Sequence, residues 1–268
     1  MLIFVYEIYL KIKLYLSSKH VRYYYKIYTS QKFKQRFVTE ENIKCDEYSI
    51  TVIDWHSFVG QYKEIFCDET YSFKTDKKEP VIVDCGANIG LASLYFKRNY
   101  ENSKIKAIEA DPDISKVLKH NLASNNIHDV EIISKAAWIN DDGVSFVKNS
   151  ADAGSVHGVG ETMSIPSISL KTILEEEQSI DLLKIDIEGA ENEVIIDCES
   201  VLGSVSNLFI EYHSLTDNEQ HLSTILAVLE RVGFRYYIES FKKKKTPFIN
   251  NKTEHHMDLQ LLIFAHKK

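Results

Sequence analysis

Val81-Ile82-Val83-Asp84-Cys85-Gly86-Ala87-Asn88-Ile89-Gly90 decides the fold. β-Branched and apolar residues run into an acid, and glycines follow two and six places after it. Such a run reads as a buried strand, a glycine-permitted turn and the start of a helix. A turn of this kind lets backbone approach a ligand closely, and the helix N-terminus favours the ligand's negative group. The pattern recurs downstream. Strands are expected at 81–84, 104–109, 130–134, 181–186 and 206–211, and helices at 89–98, 112–125, 189–198 and 219–232. That alternation predicts a doubly wound α/β domain whose parallel strands are joined by right-handed crossovers. Residues 234–240 and 258–266 read as a closing pair of strands.

The turn also indicates which ligand it serves. A dinucleotide fingerprint would be Gly-x-Gly-x-x-Gly with pyrophosphate on the helix start. Here Asp84 takes the first glycine slot, and Asn88 falls where the fingerprint has no counterpart. An acid at the strand end repels pyrophosphate but suits an ammonium or sulfonium group. S-adenosylmethionine carries both, so the turn favours the methyl donor over a nicotinamide cofactor. Packing alone is the competing explanation for the two glycines.

Two further strand ends carry acids. Glu109 in Ile108-Glu109-Ala110-Asp111-Pro112 lies about 20 residues past the first turn, where open sheets place the acid that holds a ribose. Asp111, just before Pro112, reads as a helix cap. In Leu182-Leu183-Lys184-Ile185-Asp186-Ile187-Glu188-Gly189-Ala190-Glu191, Asp186 stands at a strand end facing the binding crevice, and Glu188 and Glu191 fall on the next first turn. Helix capping explains Glu191 well and Asp186 poorly. Asp186 has three open roles: contact with the donor's amine, general base, or a magnesium or manganese ligand together with Glu188 and Glu211. His213 in Ile210-Glu211-Tyr212-His213 shares a strand face with Glu211 and is the leading base candidate.

These segments together resemble the FkbM family of S-adenosylmethionine-dependent methyltransferases. The matching blocks are DCGANIG at 84–90, IEADP at 108–112, LLKIDIEGAE at 182–191 and IEYH at 210–213, and the similarity runs over about 81–264. The resemblance implies a class I methyltransferase (Rossmann-like) fold, with a mostly parallel seven-stranded sheet and an antiparallel closing strand. It also implies S-adenosylmethionine as cofactor and a hydroxyl oxygen as acceptor, here a sugar of a surface polysaccharide or a natural-product hydroxyl. Cofactor contacts are then expected from Asp84, Gly86, Asn88, Gly90, Glu109 and Ala136, and catalysis from Asp186, His213 and Glu188. Lys171 departs from the acid that family members often carry there, which bears on the substrate. A non-catalytic module with this fold is the competing reading.

The 268 residues, 44% hydrophobic, suffice for one large or two small domains. A net charge of −7 argues against a general nucleic-acid binder. Cys45, Cys67, Cys85 and Cys198 show neither metal nor disulfide spacing and fit buried thiols in a reducing cytoplasm. Charge is uneven, because residues 1–44 hold nine Lys or Arg and seven Tyr. We expect a helical and extended arm over 1–79 ahead of the methyltransferase domain at 80–268. The arm is too short and charged to span a membrane. Peripheral contact with an anionic surface at the inner membrane face, docking on the domain, and self-association all remain open for it.

Overall fold

A computed structural model describes residues 13–148, 154–155, 162–216, 218–241, 245–249 and 257–267. Helix α1 (Lys19–Ser30) is followed by a hairpin of β1 (Glu40–Cys45) and β2 (Tyr48–Val52), helix α2 (Trp55–Tyr62), and a π-helical turn over Lys63–Cys67. The α/β region then alternates β3 (Val81–Cys85), α3 (Leu91–Asn99), β4 (Lys104–Ile108), α4 (Pro112–Ser124) and β5 (Val130–Ile133). Short strands β6 (Ala136–Trp138), β7 (Val144–Lys148), β8 (Gly154–Ser155), β9 (Thr162–Ile165) and β10 (Ser167–Ser169) lead into α5 (Leu170–Glu175). The main pattern resumes with β11 (Ile180–Ile185), α6 (Glu191–Asp197), β12 (Val205–Leu215), α7 (Leu222–Val232), β13 (Arg235–Ser240) and β14 (Met257–His266).

Seven strands form one sheet in the order β13-β14-β12-β11-β3-β4-β5. Neighbours from β12 to β5 run parallel, and β14 runs antiparallel to both β12 and β13. This is the doubly wound sheet that the alternation predicts, with the antiparallel closing strand that the resemblance implies. Strand order reverses between β3 and β11, which opens a crevice at their carboxyl ends, where such sheets bind ligands. β11 is buried along its whole length, so its apolar run cannot show a one-sided pattern.

The N-terminal region departs from expectation. Residues 48–59 read as extended and 61–73 as helix and loop, but the strand ends at Val52 and helix begins at Trp55. Asp54 is the reason: its carboxylate caps α2 by accepting from Ser57 N at 3.4 Å. This region is not a detached arm. Ile27, Tyr48, Ile50, Trp55, Phe58 and Tyr62 share one hydrophobic core with Ile82, Leu94 and Leu118 of the α/β region. Leu14, Leu16, Phe33 and Phe37 remain exposed, and residues 1–12 lie outside the described ones. Among the described residues, no helix is long and apolar enough to cross a membrane.

Candidate active site

The strand-ending turn closes as the spacing predicts. Gly86 sits at φ +80°, and a Cβ there would come 1.8 Å from the Asp186 carbonyl oxygen. Only glycine therefore lets the ends of β3 and β11 meet. Gly90, at φ +92°, begins α3 and packs on Leu118. Asn88 is also left-handed, at φ 49°. Its N–H donates to Glu109 at 2.9 Å, and Asp111 N donates to the other oxygen of the same carboxylate at 2.9 Å. Glu109 thus ties the turn after β3 to the end of β4. Burial lifts its pKa to about 7, although these two bonds oppose the shift.

Behind the turn lies a group that our reading of the sequence passed over. Lys184 is buried in β11, with its ammonium 3.2 Å from Asp84 Oδ1 and 3.6 Å from Asp186 Oδ2. It donates to the Gly86 carbonyl at 3.0 Å. Burial pulls its pKa down, but Asp84 and Asp186 outweigh this and raise it, so the ammonium stays charged. Asp84 is fully buried, and its Oδ1 faces the Lys184 ammonium. Asp84 is thus the ion-pair partner of Lys184 at the end of β3. The signal was legible: a lysine inside an apolar central strand has to be paired.

A cavity of about 1060 Å³ opens in front of the turn. Gly86, Asn88, Lys184, Asp186, Glu188 and Glu211 line it together with Glu64 and Tyr71 from the N-terminal region, and the Lys184 ammonium lies 5.8 Å from the Tyr71 ring centre. Tyr71 is buried and donates from its hydroxyl to Glu64 at 3.0 Å. Burial and the nearby Asp186 charge push the Glu64 pKa up. Nothing in the sequence placed Glu64 here, because the π turn that carries it meets the sheet only in the folded chain.

The structure brings Gly86, Asn88, Asp186 and Glu188 to the cavity and sets the other candidates around it. Asp84, Gly90 and Glu109 are not among its lining residues. Ala136 is buried in β6, which pairs in parallel with β10. His213 lines a second cavity of about 360 Å³. Its Nδ1 lies 3.0 Å from Glu191 Oε1, and its Nε2 lies 3.6 Å from Glu211 and 3.7 Å from Glu188. Glu191 also accepts from Ile187 N and Gly189 N, so it fixes the loop and the imidazole together. Burial opposes a charge on His213, but Glu191 and Glu188 carry its pKa well above the usual range. Glu211 is pushed up to about 9, by burial first and then by Asp186. Asp186, Glu211 and His213 each bring a ligand atom within 4.8 Å of the others, so His213 stands where the expected metal set had Glu188.

A doubly wound sheet with this strand order, this glycine turn and acids at successive strand ends is the class I methyltransferase fold. The chain belongs to the FkbM methyltransferase family: the model of the methyltransferase FkbM domain matches residues 84–236, more than half its length. It is 46% identical over 88 residues to methyltransferase sdnD of Sordaria araneosa, a stretch covering 33% of this chain and 34% of that protein. It is 25% identical over 206 residues to methyltransferase 1 of Beauveria bassiana, covering 66% of this chain and 81% of the relative. The solved FkbM methyltransferase from Methylobacillus flagellatus aligns with 91% of this chain and 59% of its own, at 15% identity and a TM-score of 0.43.

Proposed function

We propose that this protein transfers a methyl group from S-adenosylmethionine to a hydroxyl oxygen, with a sugar unit of a glycan intermediate as the leading acceptor. The observation carrying the reading is the Gly86 turn packed on Asp186 at the mouth of a large cavity lined by hydrogen-bonding side chains. The donor would lie along the turn, with its methionine end at Gly86, Asn88 and Asp186, its ribose toward Glu109 and its adenine toward Ala136. Lys184 fixes the position of Asp186 through their ion pair. The sulfonium supplies the activated methyl, so the chain's task is to align acceptor oxygen, carbon and sulfur and to exclude water.

The acceptor's proton needs a receiver within reach. Asp186 and Glu188 line the cavity, and we assign this role to Asp186. His213 becomes a positioning residue, since its flanking carboxylates keep it protonated. If a divalent ion takes part, Asp186, Glu211 and His213 are the residues placed to hold it, and His213 would have to give up its proton to do so. A polyol fits better than an apolar natural product because Gln61, Glu64, Glu211 and Gln260 line the cavity. The exposed apolar side chains before residue 40 are the surface we assign to peripheral membrane contact.

The test is S-adenosylhomocysteine release with sugar, phenol and amine acceptors, each with and without magnesium, followed by mass analysis of the product. A methyl ether supports the reading. Transfer to nitrogen or carbon alone overturns it, and tight NAD binding without S-adenosylmethionine binding would point to an oxidoreductase.

A further inference from the structure

The large cavity has a marked imbalance of charge. Among its described lining residues, seven carboxylates face three cations. All three cations are already engaged. Arg36 binds Asp54 through Nε at 3.0 Å and Nη2 at 2.6 Å, which uses the planar fork that would otherwise grip a phosphate. Lys63 is paired with Asp68, and Lys184 with Asp84. Asp54 does not line the cavity, and Lys184 is shared between Asp84, outside the lining, and Asp186, within it. Of the lining acids, Glu64 accepts from the Tyr71 hydroxyl and comes from outside the matched domain.

A bound donor brings a sulfonium and an ammonium, and Asp186 is placed to meet them. Glu64, Glu69 and Glu239 then remain among the lining acids, and none of the three lining cations is paired with them. Low-dielectric walls strengthen such a field, which draws in one sign of charge and repels the other. We propose that this cavity takes a hydroxyl acceptor without negative charge, preferably one bearing an amine, and excludes phosphorylated and carboxylated acceptors, with Glu64 as the selecting residue supplied by the N-terminal region. This rests on reading the cavity as the acceptor site of the transferase.

The experiment uses nitroxide probes on the isotopically labelled full chain at neutral pH in chelator-treated buffer, with and without saturating S-adenosylhomocysteine. Broadening of the Thr70 and Ala92 amide resonances by 4-amino-TEMPO and by 4-carboxy-TEMPO is compared, with the exposed Lys119 amide as reference. We expect the cationic probe to broaden the cavity amides at least threefold more than the anionic one, and Glu64→Gln to cut that ratio by about half. Glu239→Gln, at the exposed rim, provides a second variant should Glu64→Gln fold poorly, and a smaller drop is expected there. Equal broadening, or stronger broadening by the anionic probe, overturns the proposal. Absence of S-adenosylhomocysteine binding would instead defeat the donor assignment, while the ligand-free comparison still reads the cavity's sign.

Discussion

Lys184 concentrates the physics of the site in one side chain. Its ammonium is buried between Asp84 and Asp186 and anchors the carbonyl of the glycine turn. Removing one partner of a buried ion pair leaves the other uncompensated, at a cost of about 3–5 kcal/mol. Lys184→Met is therefore expected to lose about that much stability in urea denaturation. His213 and Glu211 give the site two pH signatures of the same sign, because both bind their protons more tightly in the folded chain. His213 has its folded pKa raised, so its contribution to stability is complete below the ordinary histidine range and fades as pH climbs through the folded value. Glu191→Gln should bring the His213 ring resonances back toward ordinary titration in NMR. Glu211 also binds its proton more tightly when folded, so the free protein should lose stability as pH rises from the usual carboxylate range toward about 9. Glu211→Gln should flatten that slope in thermal melts recorded across pH. Asp84, Asp186 and Glu188 were legible in the sequence because each sits at or just past a strand end. Glu64 and Tyr71 were not, since no local pattern links a π turn to a distant sheet.

At the scale of elements, legibility followed burial pattern. β3 and β11 announce themselves as apolar runs ending in acids, and Pro112 with Asp111 marks the start of α4, where Asp111 accepts from Asp113 N and Ile114 N. Helix α2 was misread as extended although its signal was present. Trp55, Phe58, Val59 and Tyr62 stand at i, i+3, i+4 and i+7, and all are buried. Asp54 caps this helix and pairs with Arg36, so Asp54→Ala should lower stability by at least the 1–2 kcal/mol typical of a lost cap, read as a drop in Tm.

The whole molecule is organised by a hydrophobic core shared between the N-terminal segment and one face of the sheet. The sequence suggested a boundary near residue 79, where a charged stretch over 74–80 precedes the first strand of the alternation, and left docking of the earlier segment on the domain open. Composition reports charge and hydrophobicity but not what a face packs against, and here Ile27 is buried in the common core. Ile27→Ala should cost about 2–5 kcal/mol and shift a single cooperative unfolding transition. A separate early transition would mark the segment as an independent unit. That shared core brings Glu64 into the lining of the same cavity as Asp186.

The account stands or falls on the glycine turn as the seat of the methyl donor. Calorimetric titration of the full chain and of Gly86→Ala with S-adenosylmethionine and S-adenosylhomocysteine tests it directly. We predict micromolar binding of both by the wild type and at least a hundredfold loss in Gly86→Ala, whose Cβ would displace the Asp186 backbone. No binding by the wild type, or unchanged affinity in a folded Gly86→Ala, would contradict the assignment.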